Sequence, residues 1–203
     1  MNITLHRGDL PGSLDLGDTV AVDSETMGLQ PGRDRLCLVQ LSSGDGTAHL
    51  VQLPAGDYAA PNLRRVLADH GRLKLFHYAR FDLAVLRRYL QVDCGPVYCT
   101  KIASRLVRTY TDRHGLKDLV REILGIELDK AEQSSDWGAV ELTATQLRYA
   151  AKDVLYLHAL RERLDAMLER EGRQELARAC FEFLPARVSL DLAGWQDQDV
   201  FAH

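Results

Sequence analysis

The chain has 203 residues, 46% of them apolar and 27% charged, with a formal charge of −4 at pH 7. That length accommodates one domain with a full core and leaves no room for a second of ordinary size. The composition argues against a disordered chain or a membrane span, and the acidic balance argues against a protein that coats nucleic acid through a broad basic face. The polar start MNITLHRGDL lacks a signal-peptide pattern, and Cys37, Cys94, Cys99 and Cys180 form no CxxC pair, so they read as reduced, packed thiols. A cytoplasmic protein with no membrane association is the expectation.

In chain order, strands are predicted over 2–6, 19–23, 35–42 and 48–52, with SSGDGT as a hairpin-like turn between the last two. Pro61 opens a helix over 62–68 from a first-turn position. A short strand over 73–77 precedes a helix over 80–90, and VYC reads as one more short strand. The second half is helical: 100–109 with Thr100 as its cap, then 116–124 stopped by Gly125. The stretch 129–143 is irregular and polar. A long helix, or two in series, covers 143–170, and a last helix covers 174–184. The tail from Pro185 has no clear period. Strands first and helices dominant later predict an α/β fold, a mixed sheet flanked by helices with a helical C-terminal half.

Asp23 and Glu25 stand at the end of the strand run TVAV, two residues apart. Alternation puts both on one face, so both carboxylates reach one point. Alone, the pair also fits a solvated strand end or a helix cap. Asp82 lies in the helix of FHYARFDLAVL, where a solvated side is the ordinary reading. Tyr149 and Asp153 are i and i+4 on a later helix, hence on one face, with small Ala150 and Ala151 between them. Four converging carboxylates would repel and most would protonate unless cations neutralised them. Hard oxygen donors select Mg²⁺ or Mn²⁺ over zinc, and paired ions suit phosphodiester hydrolysis.

In that order, Asp23-x-Glu25, Asp82 and Tyr149-x-x-x-Asp153 resemble the three motifs of the DEDDy 3′-5′ exonucleases, in their RNase D-like branch. DRLCLVQLS, ARFDLAVL, CTKIASRLVRTYTDRHGLK, QSSDWG and the tail LDLAGWQDQDVFAH are similar to the short enzymes of the NrnC (nanoRNase C) family, over nearly the whole chain. The position used by the histidine of the DEDDh branch is Arg148 here. RNase D itself carries helical HRDC domains after its nuclease domain, and a single exonuclease domain over 1–203 without them is the expectation.

The resemblance implies an RNase H-like fold and two divalent cations, Mg²⁺ or Mn²⁺, held by Asp23, Glu25, Asp82 and Asp153. It implies that Tyr149 orients the attacking water; a phenol near pKa ~10 is a poor general base at neutral pH. It places an apolar wedge at Leu29, with Thr26 nearby on the substrate side, against terminal bases read by tolerant stacking. His77 is expected to contact the substrate backbone, or else to be a satisfied histidine at a strand end. Gln133, Ser135, Asp136 and Trp137 are expected to shape the pocket around the scissile phosphate, Trp137 equally through plain packing. Lys101, Arg105 and Arg108 fall on one helical face, which reads as solvated or as a cap for a 5′-phosphate, with Arg105 and Arg108 the candidates. The implied substrate is short single-stranded RNA, chiefly dinucleotides such as pGpG. The implied assembly is a homo-oligomer, an octameric ring, with 186–203 as an oligomerisation tail. Trimming of structured RNA 3′ ends, a DNA exonuclease, and a non-catalytic nucleic-acid-binding module are the alternatives.

Overall fold

Among the described residues six strands build one mixed sheet in the order β1-β4-β3-β2-β5-β6. They are β1 (Asn2–Arg7), β2 (Thr19–Thr26), β3 (Leu36–Ser42), β4 (Thr47–Gln52), β5 (Leu73–Phe76) and β6 (Val97–Cys99). The structure is a computed structural model and describes residues 1–128 and 135–203. The β2–β3 and β3–β4 pairs are antiparallel; β1–β4, β2–β5 and β5–β6 are parallel. The expected SSGDGT turn joins β3 to β4, and β2 sits inside the sheet, flanked by β3 and β5.

Among the described residues seven helices follow the predicted order: α1 (Pro61–Ala68), α2 (Ala79–Leu90), α3 (Thr100–Val107), α4 (Leu116–Leu124), α5 (Ala144–Leu155), α6 (Leu157–Arg170) and α7 (Gln174–Leu190). The strand residues alternate between two apolar faces. Val20, Val22, Val39 and Leu41 pack with α1, α2 and α7 through Leu63, Leu83, Leu86, Leu184 and Val188. Ala21, Leu38, Leu50 and Leu75 pack on the other face with α3 to α6 through Ala103, Leu119, Val154, Leu160 and Leu164. Each fully buried Leu or Val contributes about 1.5–3 kcal/mol relative to exposure, so both faces are needed to hold the sheet. All four cysteines are free thiols, three of them buried, as expected. Among the described residues no helix is long and apolar enough to cross a membrane.

The start of α3 and the end of α7 differ from the sequence expectation, and the choice left open over 143–170 is settled. Thr100 is the first residue of α3 and not its cap; its hydroxyl donates instead to the Phe76 carbonyl at 3.2 Å, tying α3 to β5. The 143–170 region is two helices in series, meeting at Tyr156, and α5 starts on a capping box in which Thr143 and Gln146 bond each other's backbone. Helix α7 runs through Pro185 to Leu190, because Leu184 and Val188 on either side of the proline are both buried. A π-helical turn, Asp191–Trp195, continues it. The tail folds back on its own domain: the Asp191 carboxylate accepts from Arg80 Nε at 2.6 Å, Arg80 Nη2 at 2.8 Å and Arg187 Nη2 at 2.7 Å.

Candidate active site

Strand β2 outlasts its prediction by three residues, so Asp23, Ser24 and Glu25 are all strand residues. The register shifts at Glu25/Thr26, where the strand leaves the ladder with β3. By alternation Asp23 and Glu25 share the face of Ala21, on which α5 packs, and Ser24 faces the side of α2. Asp153 comes to the first face from α5, which crosses β2, β3 and β4 on its small, fully buried Ala150 and Ala151. Oxygen atoms of Asp23, Glu25 and Asp153 lie within 4.8 Å of one another.

Asp82 arrives from the opposite face. It stands in the first turn of α2, 3% exposed, so the solvated reading of this residue is wrong. Its Oδ1 accepts from Ser24 Oγ at 2.6 Å. Asp82 lies outside the close trio, yet its charge pushes Glu25 upward and Asp23 does the same to Asp82. The four acids thus meet around the end of one strand, three on one side and one around its edge.

Burial and mutual repulsion set their protonation. Burial raises Asp23 to about 7, against a smaller lowering by the Ser24 backbone N–H. Burial first, then the neighbouring acids, raise Glu25, Asp82 and Asp153 well above the ordinary carboxylate range. Among the described residues the influences on them are burial, one another, Ser24, Gln40 and backbone donors, with no cationic side chain. A half-buried, all-oxygen anionic cup with no ion-pair partner among the described residues fits hard divalent cations and does not fit a softer metal wanting nitrogen or sulfur.

Tyr149 precedes Asp153 by one helical turn. Burial first, then Asp153, Glu25 and Asp23, push its phenol above the usual value of 10, which favours the protonated form at neutral pH. Trp137 is 3% exposed and its ring lies 6.1 Å from that of Tyr149, tilted by 39°. Trp137 therefore packs behind the tyrosine. Gln146 of the capping box reaches the Asp136 carbonyl at 3.1 Å, while Asp136 Oδ1 accepts from the Gly138 N–H at 3.0 Å. Ser135 is half-buried beside them and its carbonyl accepts from Trp137 N at 3.0 Å. Gln133 lies outside the described residues.

The remaining predicted residues divide. Leu29 is 86% exposed at the tip of the loop between β2 and β3. Asp34 staples that loop, accepting from Gln30 N at 3.0 Å and Arg33 Nε at 2.7 Å. A Cβ on Gly28 would lie 2.3 Å from Asp34 Oδ2, so only glycine allows the staple. The Thr26 hydroxyl donates to the Gly28 carbonyl in the same loop. His77 Nδ1 pairs with Thr100 Oγ1 at 2.9 Å; burial first, then Lys101, depress its pKa to about 3 and keep it neutral. Arg105 is exposed on α3. Arg108 is not on that helical face: it follows the end of α3, is 1% exposed, and pairs with Glu122 and with the Arg113 carbonyl at 2.7 Å. Its partner lies 14 residues away on α4, beyond any helical-face argument.

Sequence reasoning missed two polar residues that touch the acids, Ser24 and Gln40. Gln40 Nε2 donates to Asp23 Oδ2 at 3.2 Å and to Glu25 Oε1 at 3.4 Å. It also missed Tyr78, held at φ 70° in the left-handed region at the start of α2, with the Lys101 ammonium 4.1 Å above its ring.

The sheet order, the acid cup on its central strand and the tyrosine one turn before the last acid define the class of RNase H-like 3′-5′ exonucleases. A 3′-5′ exonuclease family model matches residues 11–169. Brucella melitensis NrnC bound to pGG is similar at 55% identity and TM-score 0.97, over 100% of this chain and 99% of that one. The same NrnC with bound Mg²⁺ is 54% identical, with TM-score 0.96 and full coverage of both chains. Ribonuclease D of Gluconacetobacter diazotrophicus is 35% identical over 154 residues, 76% of this chain and 39% of that protein; the chain spans about two fifths of the length of such curated relatives. The chain belongs to the 3′-5′ exonuclease family, within its NrnC branch.

Proposed function

We propose that the protein is a 3′-5′ exoribonuclease that hydrolyses short RNA, chiefly dinucleotides such as pGpG, to 5′-mononucleotides. The observation that carries it is the trio of Asp23, Glu25 and Asp153 oxygens within 4.8 Å, with Tyr149 one helical turn before Asp153 on α5. Asp23, Glu25 and Asp153 would hold two divalent cations, Mg²⁺ or Mn²⁺, with Asp82 closing the site from the α2 side. When bound, such a pair supplies a lowered pKa for the attacking water and stabilisation of the departing 3′-oxygen.

The chain's own residues do the rest. Tyr149 donates a hydrogen bond that orients the nucleophilic water and does not take its proton. Trp137 keeps the phenol in place from behind. Water adds to the terminal phosphorus, the 3′-oxygen of the preceding nucleotide leaves and takes up a proton, and a 5′-mononucleotide is released. Leu29 stacks against the terminal bases, which is indifferent to their identity. The exposed Arg105 is the candidate for the substrate's 5′-phosphate; Arg108 is committed to Glu122 and drops out of that role. NrnC resemblance supports an octameric ring, with Trp195, Val200 and Phe201 of the tail exposed for contact with a neighbour.

A time course on 5′-labelled RNAs of two to seven nucleotides with Mg²⁺ tests this reading. Dinucleotides should vanish fastest and never accumulate. Their build-up from longer RNA would favour trimming of RNA 3′ ends instead.

A further inference from the structure

Every residue of β3 is buried, and Gln40 is a fully buried polar side chain near its centre. It stands opposite Asp23 across one ladder and opposite Leu50 across the other. Alternation puts it on the face of Leu38, with Asp23, Glu25 and α5. Its one NH₂ group serves two acceptors, Asp23 Oδ2 at 3.2 Å and Glu25 Oε1 at 3.4 Å. Its Oε1 is buried and has no hydrogen-bond partner among the described residues.

The amide's orientation follows from chemistry. Turned over, Oε1 would face two carboxylate oxygens, so the donor end is committed to the acids and the acceptor end is left alone. An unsatisfied buried acceptor is costly, and methionine of similar size would avoid that cost. What methionine cannot do is bridge the two acids. A lysine would bridge them but would also cancel charge that a cation needs. A neutral donor orients both carboxylates, engages one oxygen of each, and leaves their negative charge intact.

We infer that Gln40 is a positioning residue that fixes the Asp23 and Glu25 carboxylates in the arrangement divalent cations require. The inference rests on the metal-dependent reading above. Partners that orient metal ligands typically control 10- to 100-fold in metal affinity. Mn²⁺ titration of the chelator-stripped, full-length protein, without RNA, reads the effect directly. Gln40→Met should weaken Mn²⁺ binding by about that 10- to 100-fold, melt no lower than wild type, and recover lost activity as Mn²⁺ is raised. Should that variant fail to fold, Gln40→Ala carries the same titration. Binding within twofold of wild type in the folded variant overturns the role of Gln40 and leaves the metal-dependent reading standing. A wild-type protein that binds no Mn²⁺ overturns both.

Discussion

Tyr149 and Asp153 share one helical face yet have separable tasks. Burial first, then three acids, push the Tyr149 phenol upward, and the proposed mechanism gives its hydroxyl a positioning task in place of proton abstraction. Tyr149→Phe should lose about 10²- to 10⁴-fold in rate, the range of a positioned proton-transfer or orienting group, and keep Mn²⁺ binding. Asp153→Asn should lose the metal; equal titrations of the two variants would contradict the split. A pH dependence follows from Asp23. Its folded pKa is raised from 3.8 to about 7, so its contribution to stability is complete below its ordinary value and is lost as pH rises through about 7. Metal-free protein should therefore melt at a lower temperature at pH 8 than at pH 5, and Asp23→Asn should flatten that slope. A wild-type melting temperature that rises over this interval would refute the assignment. At this scale the sequence was legible wherever spacing reported a shared face, as for Asp23 with Glu25 and Tyr149 with Asp153. Gln40 and Ser24 were not legible, because their roles come from cross-strand register and from a second face of the same strand. Arg108 was misread because Glu122, its partner, belongs to the next helix.

The β2–β3 loop and the end of α7 line a shared cavity beside the start of α2, with Leu29, Tyr78, Arg80 and Asp191 among its walls. The β2–β3 loop is built by Asp34 and Gly28 so that Leu29 stands in solvent. Leu29→Ala should leave the melting temperature unchanged, since the side chain is 86% exposed. It should raise KM for a dinucleotide by an amount corresponding to at most about 1.5–3 kcal/mol, the worth of covering a leucine side chain with a base. An unchanged KM would remove the wedge from the account. The other element is the end of α7. The expected helix stopped at Leu184 because proline lacks an N–H and crowds the preceding turn. Burial of Val188 beyond it carries the helix on, and apolar packing of this kind is visible only once α2 is in place beneath it. The Arg80–Asp191–Arg187 clasp then draws the tail toward the first turn of α2, two residues from Asp82. Asp191→Ala should free residues 192–203 to limited proteolysis while the domain's melting transition survives. A tail still resistant to protease would show that Phe201 against Phe183, and not the clasp, holds it.

For the molecule as a whole, the fold class could be read from the order of elements, and the sheet order could not. Nothing in the chain announces that β1 and β4 pair in parallel at one edge while β6 closes the other. A ring, if formed, must use surfaces the single domain leaves open. Removing residues from 186 onward would cut Val188 out of the core, so the informative truncation falls after Leu190. Solution mass of that shortened chain should drop from the ring to a smaller species if the tail joins neighbours, and stay the same if it does not. The central claim is chemical and independent of assembly: acids brought together from three separate elements, Asp82 buried and the others half-buried, act only with divalent cations between them. Hydrolysis of a dinucleotide RNA in excess chelator tests it most directly. The account predicts no turnover until Mg²⁺ or Mn²⁺ is restored, and undiminished turnover with the chelator present would contradict it.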